Sequence, residues 1–107
     1  MSNTSTENSG GILNGVGNVT TILRNTVVKN NRATARGGGI FNYAAQLTLE
    51  NSTVVDNVAE AYAGGIESYA SNSTLTLNNS TVTSNTALDP AYDAGGVLNV
   101  GTLAYSN

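Results

Sequence analysis

Val54-Val55-Asp56-Asn57 leads through a short link to Gly64-Gly65-Ile66, and the same order of residue types recurs on either side of it. Upstream the run is Val27-Val28-Lys29-Asn30 to Gly37-Gly38-Gly39-Ile40; downstream it is Val82-Thr83-Ser84-Asn85 to Gly95-Gly96-Val97. Each link carries an alanine, Ala33, Ala59 or Ala87. Alternating segments follow the glycines: Leu47-Thr48-Leu49, Leu75-Thr76-Leu77 and, before the first full copy, a weaker Thr20-Thr21-Ile22. Asn3, Asn30, Asn57 and Asn85 are spaced by 27, 27 and 28 residues, and Ile12, Ile40, Ile66 and Val97 by 28, 26 and 31. The long last step marks an insertion, Leu88-Asp89-Pro90-Ala91-Tyr92-Asp93, which reads as a bulging loop because proline cannot serve a buried ladder.

A fixed period demands an architecture in which successive units meet identical neighbours. Segments rich in Asn, Thr and Gly with β-branched alternation lack the 3.6-residue apolar stripe of a helix pair. Antiparallel sandwiches have no reason to repeat residue types at constant spacing. A parallel β-helix does, since residues one turn apart lie about 4.8 Å apart in hydrogen-bonded register. The expected inward columns are Ile22, Leu49 and Leu77; Val27, Val54 and Val82; and Ile12, Ile40, Ile66 and Val97. Asn30, Asn57 and Asn85 are expected to form an amide ladder at a turn, where asparagine tolerates left-handed φ. A second polar column is Asn14, Asn42, Ser68 and Asn99, and Thr26, Thr53 and Thr81 form an outward file. The paired glycines suit positive φ or close backbone approach.

Gly-Gly-Gly/Ala-Ile preceded by an apolar-x-x-Asn tetrad resembles the GGA(I/L) and FxxN repeats of chlamydial-type polymorphic outer-membrane proteins and related bacterial surface β-helix proteins. The resemblance runs from Asn3 to Asn107, with Val27, Val54 and Val82 where those repeats usually carry Phe. It implies a right-handed coil and a place outside the cell or on its surface.

The 107 residues suffice for one domain, taken as 1–107, and 40 of them are Asn, Thr or Ser. Without Cys or His the chain has no disulfide, thiol nucleophile or imidazole base, and a net charge of −3 with four cations disfavours nucleic acid. No apolar run is long enough to insert in a membrane. The expected columns set Asp56 beside Lys29 and Ser84, and Glu50 beside Leu23 and Asn78. No two carboxylates then share a column, which argues against a glycan lyase or hydrolase, although neighbouring columns leave room for a pair. No cofactor is expected. Asp89 and Asp93 flank the insertion; calcium there would need four or more further oxygens, so a solvated loop is the simpler reading. Tyr43 and Tyr69 should stack on adjacent turns, where they are candidates for contact with a glycan or partner.

Neither end carries an atypical polar cap: Asn3 precedes Ile12 as Asn57 precedes Ile66, and Leu103, Tyr105 and Asn107 fall where Leu47, Leu49 and Asn51 fall. The repeat amounts to four turns less about three residues. The expectation is a non-enzymatic extracellular solenoid that stacks head to tail into a fibre. The alternative is a piece of a longer surface adhesin or autotransporter passenger that binds a host protein or a glycan.

Overall fold

The structure, a computed structural model, describes residues 3–5, 8–15, 17, 19–89 and 95–106. The first pass of the coil consists of β1 (Thr4–Ser5), β2 (Ile12–Gly15), β3 (Thr20–Arg24) and β4 (Val27–Lys29). The second repeats it as β5 (Arg32–Ala33), β6 (Ile40–Tyr43), β7 (Gln46–Glu50) and β8 (Thr53–Val55). The third comprises β9 (Val58–Ala59), β10 (Ile66–Tyr69), β11 (Thr74–Asn78) and β12 (Thr81–Thr83), and the fourth β13 (Thr86–Ala87), β14 (Val97–Asn99) and β15 (Thr102–Ser106). Each strand pairs in parallel with its equivalent one turn away, giving three faces of four strands and one of three. The chain is a parallel β-helix of three full turns and most of a fourth.

The bore is filled by Ile12, Ile40, Ile66 and Val97 on the β2 face, as expected from their period. Two expected columns are off by one residue in the first pass. Leu23, not Ile22, stands over Leu49, and Val28, not Val27, stands over Val54. Ile22 and Val27 point outward, 45% and 55% exposed. In the same way Val27, rather than Thr26, heads the outward file with Thr53 and Thr81. The cause lies in corner length. The corner between the β2 and β3 faces takes four residues (16–19), then two (44–45), then four (70–73), then two (100–101). True steps around the coil are therefore 28, 26 and 28, not a uniform 27. Because side chains alternate sides, a one-residue error turns an inward position outward.

The amide ladder is corrected likewise: Asn31, not Asn30, takes the place above Asn57. The backbone N–H and Nδ2 of Asn31 both donate to Asn57 Oδ1 at 3.0 Å, and those of Asn57 donate to Asn85 Oδ1 at 2.9 and 3.0 Å. Asn3 donates its backbone N–H to Asn31 Oδ1 at 2.9 Å. Asn30 has the other property foreseen for this turn, a φ of 58°, which Asp56 and Ser84 share at 56° and 53°. Left-handed backbone and ladder are thus divided between consecutive residues. A second left-handed row, Asn25, Asn51 and Asn79, ends the strands of the β3 face.

Asn14, Asn42, Ser68 and Asn99 align as expected. Asn14 Nδ2 donates to Asn42 Oδ1 at 2.8 Å, and Asn42 Nδ2 to Ser68 Oγ at 3.0 Å. At the next corner Ser52 Oγ accepts the Thr26 N–H, and Ser80 Oγ that of Ser52. The glycine pairs answer to close approach: a Cβ at Gly38 or Gly64 would overlap the backbone of Val58 or Thr86. The insertion residues Pro90 to Asp93 lie outside the described residues.

Replacing Asn31 with Ala removes its Nδ2 bond to Asn57 Oδ1 and the acceptor of the Asn3 N–H, and is expected to cost about 1–3 kcal/mol in urea unfolding. Asn30→Gly, at a left-handed exposed site, is expected to stay within about 0.5 kcal/mol of the parent. The reverse order would place the ladder on Asn30.

Candidate functional site

Outward positions of the β2 face form two rows: Leu13, Phe41, Glu67 and Leu98, then Gly15, Tyr43 and Tyr69. In an outward row of a solenoid these residues should be solvated, yet Phe41 is buried and Glu67 has no exposed surface. The links that precede β6 and β10 cover them. Arg36 reaches from the first of these links to Glu67, its Nη1 donating to Oε2 at 2.6 Å. Its guanidinium carbon lies 4.0 Å from the ring centre of Tyr62, 4.7 Å from that of Tyr69 and 5.8 Å from that of Phe41. A guanidinium surrounded by aromatic rings is attracted by their π-faces and stays planar against them.

Glu67 Oε1 has no hydrogen-bond partner. Burial pushes the Glu67 carboxyl above the ordinary range, against the charge and hydrogen bond of Arg36, which pull it down. Loss of water thus outweighs a close ion pair here. The cluster pins the link onto the sheet and shapes an open groove of about 300 Å³, lined by Asn8, Arg36, Phe41, Tyr43 and Tyr69.

Tyr43 and Tyr69 stack as expected, with ring centres 5.7 Å apart and planes 15° from parallel; Phe41 stacks on Tyr43 at 5.8 Å. Of the acidic residues, Glu50 pairs with Arg24 at 2.7 Å and Glu60 with Arg32 at 3.5 Å. Glu50 therefore stands beside Arg24, where the shifted register had put Leu23. Lys29 is in register with Val55, so the expected Lys29 and Asp56 neighbourhood does not form. Among the described residues no three of Asp, Glu, His and Cys gather where they could hold a metal ion. Asp93, half of the calcium possibility with Asp89, lies outside the described residues.

Arg36 and Glu67 were not among the sequence-derived candidates. Their signal was present: Glu67 is the single acid in an otherwise apolar outward row, and Arg36 shares a link position with Asn8 and Tyr62. A search for carboxylates stacked on carboxylates passes over a carboxylate paired across columns.

Over residues 1–106 the chain matches the protein family described as the right handed beta helix region. No curated protein and no solved structure matches it.

With its pKa raised on folding, Glu67 contributes stability fully present below the ordinary carboxylate value and lost as pH rises through the folded value. Glu67→Gln mimics the neutral form, so it should be at least as stable as the parent at pH 7 and should lack that pH slope in urea unfolding between pH 4 and 8. A loss above about 1 kcal/mol at pH 7, or an unchanged slope, would show that Arg36 dominates.

Proposed function

Since the chain belongs to the right-handed β-helix family, we propose that it is a non-enzymatic structural solenoid whose copies stack end to end, outside the cell or at its surface. One observation carries this reading. Leu103 and Tyr105 continue the inward columns of Leu75 and Leu77, yet they are 39% and 76% exposed, whereas Leu75 is fully buried. The outer edges of β15 and β3 have no strand partner among the described residues. An unpaired strand edge is a template for another strand, and exposed bore residues reward its addition.

Stacking β15 of one copy on β3 of the next sets Leu103 against Thr21 and Tyr105 against Leu23, and repeats the pairing already made between successive turns. The two surfaces differ, so the contact is heterologous and propagates without closing. The resemblance of the Gly-Gly-Ile repeats to bacterial surface β-helices supports the location. The pairing of Glu50, Glu60 and Glu67 with arginines supports a non-catalytic role, since each acid already has a cation beside it.

A second reading is favoured by the groove beside Tyr43 and Tyr69: a surface adhesin module that binds a host protein or a glycan.

Sedimentation velocity and electron microscopy at micromolar concentration are expected to give mass that grows with concentration, and filaments. Leu103→Lys with Tyr105→Lys should halt growth at the monomer with the circular dichroism unchanged. A parent that remains monomeric at every concentration would defeat the stacking reading.

A further inference from the structure

The row Gly15, Tyr43, Tyr69 is an aromatic file with one place empty. Tyr69 stacks on Tyr43, but on the other side of Tyr43 the row offers only Gly15, which has no side chain. Facing this gap is a second row. The Arg36 carbonyl accepts the Ser9 N–H and the Ala63 carbonyl accepts the Gly38 N–H, so Asn8, Arg36 and Tyr62 occupy one place in successive links. Asn8 and Arg36 form the polar wall of the groove, with Phe41 and Tyr43 as its apolar part. Its volume of about 300 Å³ is at the lower end for small-ligand clefts and suits one or two rings.

We propose that this groove is a carbohydrate site, in which a neutral sugar ring lies against Tyr43 in the place left by Gly15, with its hydroxyls bonded to Asn8 and Arg36. The proposal rests on the second reading above and narrows it to a class of ligand. A pyranose has an apolar C–H face and a rim of hydroxyls; Tyr43 matches the first, and the amide and guanidinium match the second. Arg36 is held by Glu67 and by Tyr62 and Tyr69, so its remaining donors are presented with little further loss of side-chain freedom. The lining decides against an anionic ligand. A carboxylate on Arg36 would lie against the electron-rich faces of Tyr43 and Tyr69 that line the same groove. A purely apolar ligand would leave the polar groups of Asn8 and Arg36 without partners.

The test is titration of the full chain with glucose, galactose, mannose, N-acetylglucosamine and their disaccharides, with galacturonate as the anionic comparison, followed by calorimetry and by the NMR signals of the tyrosine rings. At least one neutral sugar is expected to saturate in the millimolar range or below and to shift Tyr43 but not Tyr105. Tyr43→Ala should weaken it about tenfold, the loss of one stacking contact. Gly15→Tyr, whose Cβ would come within 3.3 Å of the Tyr43 carbonyl oxygen, should fill the file and abolish binding while the circular dichroism stays that of the parent. The proposal is overturned if no neutral sugar shifts Tyr43, if galacturonate alone binds, or if binding persists in both variants. Should neutral sugars fail while Tyr43→Ala still reduces attachment to surfaces coated with host protein, the sugar assignment falls and the binding-module reading stands. Failure of both measurements removes both.

Discussion

Buried polar groups that find their partners only in the next turn hold this coil in register. Apolar columns alone would tolerate sliding, because an Ile over a Val is nearly as good as an Ile over an Ile. Asn31, Asn57 and Asn85 do not tolerate it: each amide oxygen accepts from the preceding turn, and the Nδ2 groups of Asn57 and Asn85 also satisfy the carbonyls of Val28 and Val54. A one-residue slip would strand several of these groups in the bore, each at a cost of about 1–3 kcal/mol. Asn14 with Asn42 and Ser52 with Ser80 impose the same condition at other corners, and at the remaining one the glycines let the link approach the next turn closely. A sequence with more than a third of its residues uncharged and polar is therefore compatible with a buried interior, because its polarity is concentrated at corners and satisfied between turns.

The columns of the β2 face could be read directly from the sequence because the link before it is six residues long in the second and third passes, at 34–39 and 60–65. Reading faltered after β2, where a corner of four residues alternates with one of two. Ile22, Val27 and Asn30 each have a near-equivalent neighbour in Leu23, Val28 and Asn31, so an averaged period fell on the wrong member of each pair. Residue type could not separate them; hydrogen bonding and burial do. Asn30 also combined two demands that belong to two residues, a left-handed backbone and a buried amide.

The outward cluster on the β2 face was only half legible. Stacking of Tyr43 on Tyr69 follows from the period alone. The burial of Phe41 and Glu67 does not, since it depends on the link swinging Arg36 back across the sheet, a tertiary event that leaves no trace in column arithmetic. This cluster converts a uniform solenoid surface into a local feature with a groove, a fixed cation and a buried acid. Fold membership alone assigns no activity to it, so its role must come from the chemistry of these side chains.

The most direct measurement of the account is cysteine cross-linking in this cysteine-free chain. Parallel neighbours about 4.8 Å apart lie within the Cα separation of about 4.4–6.8 Å that a disulfide spans. Val27→Cys with Thr53→Cys, both in the outward file, should close readily on oxidation. Thr26→Cys with Thr53→Cys should close far less readily, because Thr26 belongs over Ser52 at the corner and meets Thr53 through its backbone carbonyl rather than its side chain. Efficient closure of the second pair and failure of the first would contradict the register on which the whole structure is built.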